Sequence, residues 1–282
     1  MTSAAPLFNL PTAMIKTALL FAGQGAQSVG MGRDLAEHFP AARKWFELAN
    51  QALGYDLARI CFEGPEAELT RTENAQPGIL LVSWAAFELL RERVPGFQFQ
   101  ATAGLSLGEF TALTAAGVMS FEDGLRVVRQ RGKFMQEACE ATQGGMAAII
   151  GLDEARTREV CAESGAELAN LNCPGQIVIS GPADKMSAAC DLARARGARK
   201  AVPLTVAGAY HSTLMSSASP KLAATLQAVA LQPALVPVIS NVTAQPHGGP
   251  ADTRQRPHPK SQTGGPIHSF ARPRTENDAR SQ

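Results

Sequence analysis

Apolar positions along this chain recur at two different spacings, and the switches between them outline its elements. Thr17 to Phe21 is a short apolar run ending at Ala22-Gly23, which predicts a strand buried on both faces of a parallel sheet. Ala42, Trp45, Phe46, Ala49 and Leu53 follow Pro40 at helical spacing, so an amphipathic helix opens there with Trp45 and Phe46 in the core. A second helix is expected from Gln76 to Val94, with Pro77 in its first turn and Leu80, Leu81, Trp84, Phe87 and Leu90 on its apolar face. Phe97 to Ala103 alternates as a strand, and Leu107 to Ala116 returns to a helix that Gly117 stops. Ser120 then caps a helix reaching about Cys139, with Glu122 and Asp123 in its first turn.

Beyond Gly144-Gly145 the order changes. Strand (Met146–Leu152), helix (Glu154–Ser164), two strands (Ala166–Leu171, Gln176–Ser180), helix (Ala183–Ala195) and strand (Ala201–Val206) make β-α-β-β-α-β. That is the split βαβ of a ferredoxin-like unit. The chain is therefore expected to be α/β. Residues 16–144 and 207–243 would form a catalytic core, 145–206 an insert, 1–15 a flexible lead-in, and 244–282 a separate tail.

Composition narrows the function. A chain of 282 residues that is 45% hydrophobic can bury a full-sized core. A net charge of +1 argues against nucleic-acid or membrane-surface partners. Its five cysteines are odd in number and lack C-x-x-C spacing, so they read as reduced thiols rather than a metal site or a disulfide frame. No apolar run is long enough to span a bilayer, and the start lacks a secretory pattern, which predicts a cytoplasmic protein.

The chemistry centres on Gly104-Leu105-Ser106-Leu107-Gly108-Glu109, between a strand and a helix. This is the G-x-S-x-G spacing of a nucleophile elbow, in which a sharp turn holds the serine in a strained conformation. The Leu107 N–H, at the positive end of the new helix, would face an oxyanion formed when Ser106 attacks a carbonyl. Gln24, in Gly23-Gln24-Gly25, lies in a loop that lets backbone approach a ligand. Arg131 shares a helix stripe with Val127, Val128, Phe134, Met135 and Ala138, so its guanidinium is expected to be buried and to need an anion. Either a protein carboxylate or the substrate supplies that anion. His211, in a loop of small residues, is the candidate general base. Gln76, Met135 and Asn172 are further candidates for the substrate site, with capping, core and turn roles respectively as the plain alternatives.

Serine with histidine gives acyl transfer through an acyl-serine ester, and a buried arginine selects an acyl group with a free carboxylate, such as malonyl. The acids between Ser106 and His211, such as Asp184 and Asp191, fall in the insert. A Ser-His dyad oriented by a carbonyl is thus expected rather than a triad.

Five ordered motifs carry a family resemblance: Gly23-Gln24-Gly25-Ala26-Gln27, Gly104 to Glu109, Arg131-Gly132-Lys133-Phe134-Met135-Gln136, Asn172-Cys173-Pro174-Gly175-Gln176, and Tyr210-His211-Ser212-Thr213-Leu214-Met215. From about Lys16 to Val242 the chain resembles the malonyl-CoA:acyl carrier protein transacylases. The resemblance implies an α/β-hydrolase-like core with a ferredoxin-like insert. It also implies ping-pong transfer of malonyl from malonyl-CoA to the phosphopantetheine thiol of acyl carrier protein, in fatty acid biosynthesis. It assigns Ser106 as nucleophile, His211 as base, Arg131 as carboxylate clamp, and the N–H groups of Gln24 and Leu107 as oxyanion hole. The expected enzyme is a monomer with no cofactor beyond the coenzyme A of its substrate. Leu105 stands where many members have histidine.

Gln232 to Val242 reads as a strand with its approach, and beyond it the C-terminal segment departs from the family. From Gln245 to Gln282 the large apolar residues are Ile267 and Phe270 alone, among prolines, arginines and three of the five histidines. Such a segment cannot offset an ordering entropy of roughly 1 to 2 kcal/mol per residue. A disordered basic tail and translation out of frame after about Pro246 are the two accounts, and the abrupt change favours the second. A serine esterase or thioesterase, or an inactive truncated remnant, are the alternative functions.

Overall fold

The computed structural model describes residues 16–255 and 266–268. The lead-in, residues 1–15, lies outside the described residues, as do 256–265 and 269–282 of the tail. The described strands are β1 (Ala18–Phe21), β2 (Ala101–Gly104), β3 (Gly144–Ile150), β4 (Glu167–Cys173), β5 (Gln176–Pro182), β6 (Lys200–Pro203), β7 (Val238–Ile239) and β8 (Ile267–His268). The first helices are α1 (Arg33–His38), α2 (Pro40–Leu53), α3 (Leu57–Glu63), α4 (Glu66–Thr70) and α5 (Thr72–Arg93). Then come α6 (Leu107–Ala115), α7 (Phe121–Ala141), α8 (Glu154–Ser164), α9 (Ala183–Ala195), α10 (Ala218–Gln227) and α11 (Pro250–Gln255).

Two sheets result. The first is parallel, in the order β1-β2-β7, with Leu19 opposite Thr102 and Ala103 opposite Ile239. The second has the order β6-β3-β5-β4-β8 and is antiparallel except where β8 joins β4. Its β3-α8-β4-β5-α9-β6 portion is the ferredoxin-like unit that the element order predicts, set beside an α/β-hydrolase-like core. One face of this sheet closes on α8 and α9 through Ile149, Leu168, Ile179, Val160 and Ala189. The other face carries Met146 and Val178 into a cluster with Met135, Ala138 and Tyr210, which joins the sheet to α7 and to the loop after β6.

The largest apolar cluster lies among the helices, where Phe46, Leu80, Leu81, Phe110 and Leu125 meet. Trp45 is only partly buried but packs edge-on against Trp84 and Phe121. Helices α5 and α7 cross closely at Gly132, where a side chain would run into the Thr72 carbonyl. That approach sets residues of α5 directly against Arg131. The Ser120 cap is as expected, its side chain accepting from the Asp123 N–H.

Four expectations are corrected. Helix α5 begins at Thr72, so Gln76 is inside it and not ahead of it. Pro77 lies in the second turn, where its missing N–H forfeits one helical bond that the close packing of α5 on α7 tolerates. Strand β1 is the outer strand of the described parallel sheet, and its exposure alternates, with Leu20 65% exposed, because it has a neighbour on one side only. The apolar approach from Gln232 to Val242 narrows to a two-residue strand, since Pro233 and Pro237 cannot donate to a ladder.

The fourth correction concerns the tail. Packing continues past residue 244: the Ser240 N–H donates to the Gln245 carbonyl, the His247 N–H to the Val238 carbonyl, and α11 follows with Thr253 buried. Ile267 is buried, and β8 pairs with β4 at Asn170. Hydrogen bonds hold this polar stretch where apolar periodicity gives no signal.

Candidate active site

The site is built on the turn between β2 and α6. Ser106 has φ 54° and ψ −104°, outside the regions that L-residues favour, at a cost of about 1 to 3 kcal/mol. The flanking glycines are steric requirements. A Cβ on Gly104 would run into the Gly108 carbonyl, and one on Gly108 would run into the Phe21 carbonyl of β1. The turn therefore packs directly onto the adjacent strand, and Ser106 projects from it. Leu107 is the first residue of α6 and fully buried, so its N–H has no partner within the helix and stands beside the serine.

Arg131 comes up from α7. It is 3% exposed, its Nη2 donates to Ser106 Oγ at 2.8 Å, and its Nη1 donates to Gln76 Oε1 at 2.7 Å. Its Nε has no hydrogen-bond partner among the described residues. Nor does any carboxylate there lie within 4.0 Å of it; Glu109 acts on it from further away. Burial lowers its pKa to about 10, with Glu109 and Tyr210 opposing the shift, so the guanidinium stays charged near neutral pH. The protein surrounds this cation with neutral partners: a hydroxyl, an amide and the Phe110 ring, whose centre is 5.5 Å away.

A polar chain extends from there. Gln76 is fully buried, and its Nε2 donates to Gln24 Oε1 at 3.4 Å and to Met135 Sδ at 3.4 Å. Gln24 Nε2 reaches the Tyr210 hydroxyl at 3.5 Å, and that hydroxyl also pairs with Thr72 Oγ1 at 3.0 Å. The loop carrying His211 is thus linked, through Tyr210 and Gln24, to the Gln76 side chain that holds Arg131. His211 is 5% exposed with φ 60°, a second left-handed residue, and Ser212 Oγ ties the loop to the Ala209 carbonyl at 2.7 Å.

Residues 18–261 match the acyl transferase domain family. The chain belongs to this family. The malonyl CoA-acyl carrier protein transacylase of Bacillus subtilis (strain 168) is 47% identical over 248 residues, covering 86% of this chain and 78% of the relative. That of Escherichia coli (strain K12) is 41% identical over 233 residues, covering 81% and 75%. Among solved structures, a malonyl-transacylase in complex with a type II polyketide acyl-carrier protein superposes with a TM-score of 0.85 at 37% identity, covering 90% of this chain and 82% of that one. The Coxiella burnetii transacylase gives 0.82 at 36% identity, covering 85% and 77%.

Within this acyl transferase domain, Ser106, Leu107, Arg131, Gln76, Met135 and Gln24 form one connected group, with the His211 loop against it through Tyr210. Asn172 is half-buried near the end of β4, two residues before the Pro174-Gly175 turn begins. The direct bond from Arg131 to the serine was not expected from the sequence. Tyr210 and Thr72 were also missed, although Tyr210 adjoins His211 in a motif. Among the described residues, no group of three or more His, Cys, Asp or Glu side chains could hold a metal ion, and no helix is long and apolar enough to cross a membrane.

Proposed function

We propose that this acyl transferase carries malonyl from malonyl-CoA to the phosphopantetheine thiol of acyl carrier protein through a malonyl ester of Ser106. The observation that carries the reading is the buried Arg131 cation, bonded to the Ser106 hydroxyl and with no carboxylate within 4.0 Å among the described residues. A buried charge without an anion is costly, and a free carboxylate on the acyl group relieves that cost at the reacting atoms. The names of the relatives support the same substrate and acceptor.

His211 takes the proton as Ser106 Oγ attacks the thioester carbonyl, the N–H groups of Gln24 and Leu107 receive the oxyanion, and the C–S bond breaks. The coenzyme A sulfur leaves with the proton returned by His211. The carrier thiol then gives its proton to His211, attacks the ester carbonyl and releases Ser106 by the reverse sequence. Arg131 moves from the hydroxyl to the malonyl carboxylate on binding, which frees a lone pair of Oγ for attack. The reading includes a monomeric cytoplasmic enzyme that needs no resident cofactor, and the five free cysteines support a reducing compartment.

Incubation with radiolabelled malonyl-CoA tests it: label should appear on Ser106 and pass to acyl carrier protein. A folded protein that takes up no label overturns the proposal, and one that merely hydrolyses the thioester supports an esterase instead.

A further inference from the structure

One buried group of side chains beside the elbow has no part in the chemistry above. Asn241 follows β7 and is 2% exposed. Its carboxamide bridges the turn: Nδ2 donates to the Gly104 carbonyl at 2.8 Å, and Oδ1 accepts from the Ser106 N–H at 2.5 Å. Its own N–H donates to Glu109 Oε1 at 3.3 Å. The same oxygen is 2.7 Å from Nε2 of His247, and the two side chains are each 3% exposed. Asp252 faces the other ring nitrogen at 4.0 Å, and the Arg131 charge also acts on Glu109.

The bridge needs an amide. A carboxamide presents one donor and one acceptor side by side, matched here to a carbonyl and an N–H two residues apart, whereas a carboxylate cannot donate and an aliphatic group does neither. By tying residue 104 to residue 106, it fixes the backbone dihedrals on which the direction of Oγ and of the Leu107 N–H depends. Such conformations persist only where the surroundings over-determine them. Glu109 and His247 in turn hold Asn241 from behind. Burial pushes the Glu109 carboxyl up, while His247 and the Asn241 N–H oppose the shift by stabilising the ionised form.

We propose that Asn241, backed by the Glu109–His247 pair, is a positioning residue that holds Ser106 in its reactive conformation. The inference rests on Ser106 being the nucleophile. It makes the loop from 240 to 247, which carries no reacting group, part of the machinery.

Single-turnover malonylation of Ser106 by the full chain, over a range of malonyl-CoA concentrations, tests it. Asn241→Ala should slow acylation by roughly 100-fold with the half-saturating concentration within about threefold of wild type, as expected when a reacting atom is misplaced and not unbound. Asn241→Asp keeps the volume and the acceptor but not the donor, and should lose roughly tenfold. Glu109→Ala removes the acceptor of the Asn241 N–H and should also slow acylation, and Glu109→Gln, which restores an acceptor there, should recover part of that loss. Ile149→Ala, in the apolar core of the other sheet, controls for lost stability and should acylate at the wild-type rate. Wild-type acylation by either Asn241 variant, a loss confined to half-saturation, or an equal loss in Ile149→Ala overturns the inference. No labelling of the wild-type protein would instead sink the proposed function itself.

Discussion

The two sheets solve different problems. In the ferredoxin-like sheet, β3 and β5 pair along seven residues each, and the side facing α8 and α9 is filled by aliphatic residues such as Ile149 and Ile179 with no buried charge among them. The parallel sheet pairs over four positions on one side of β2 and two on the other, and leaves Leu20 of β1 65% exposed. Yet the strained serine sits on the second. The buried ionisable groups Glu109, Arg131 and His211, with the enclosed His247 side chain, all belong to the core side. The lesson is that the site is not held rigid by the largest or best-filled sheet. Directional bonds from Asn241, Gln76 and Arg131 over-determine a small one, at a cost in buried charged side chains that the aliphatic face of the other sheet does not carry among the described residues.

That contrast is broken if rate and stability respond alike on both sides. The largest effect belongs to Ser106→Ala, which should lower malonyl transfer by ~10^4-fold or more while barely moving the unfolding midpoint, as followed by transfer assays and urea denaturation. Ile149→Ala should do the reverse, costing about 2 to 5 kcal/mol of stability while the folded fraction turns over normally. Arg131→Ala comes next: malonyl transfer should fall by roughly 100-fold, acetyl transfer should rise relative to it, and stability should hold or improve because a buried charge is removed. Its pH dependence has a definite sign. With the folded pKa brought down to about 10, the fold favours the neutral form, so its stability penalty is present below that value and relieved above it. Malonyl selectivity should therefore be flat around neutrality and decline as pH rises through about 10 and above, since a bound carboxylate favours the cation.

Legibility followed the same division. Ser106 was readable because a strand-to-helix turn of this sharpness admits glycine alone at 104 and 108, so sterics wrote the motif into the sequence. Arg131 was readable as a charge inside an apolar stripe, and the ferredoxin-like unit as an order of alternating spacings. Gln76 was misplaced because a proline usually opens a helix, while here α5 starts five residues before Pro77. The burial of β1 was misjudged because an apolar run does not reveal how many strands will flank it. Asn241 and His247 were invisible for a different reason: their roles depend on partners 132 and 138 residues away, and they stand at the end of the last apolar run and beyond it.

The smallest predicted effect tests the exposed side of the comparison. Leu20 points outward from an edge strand, so its replacement by Thr removes little buried area and introduces a β-branched side chain suited to an extended backbone. The change should stay within about 0.5 kcal/mol in denaturant midpoint, and malonyl transfer should be unaltered, because the contact of this strand with the elbow runs through the Phe21 carbonyl and not through the Leu20 side chain. The Leu105 N–H donates to that carbonyl at 3.1 Å, and Gly108 packs against it. A loss of activity in Leu20→Thr without a loss of stability would mean that side-chain packing along β1 also positions Ser106. The division between a sheet stabilised by burial and a turn held by directional bonds would then have to be redrawn at β1.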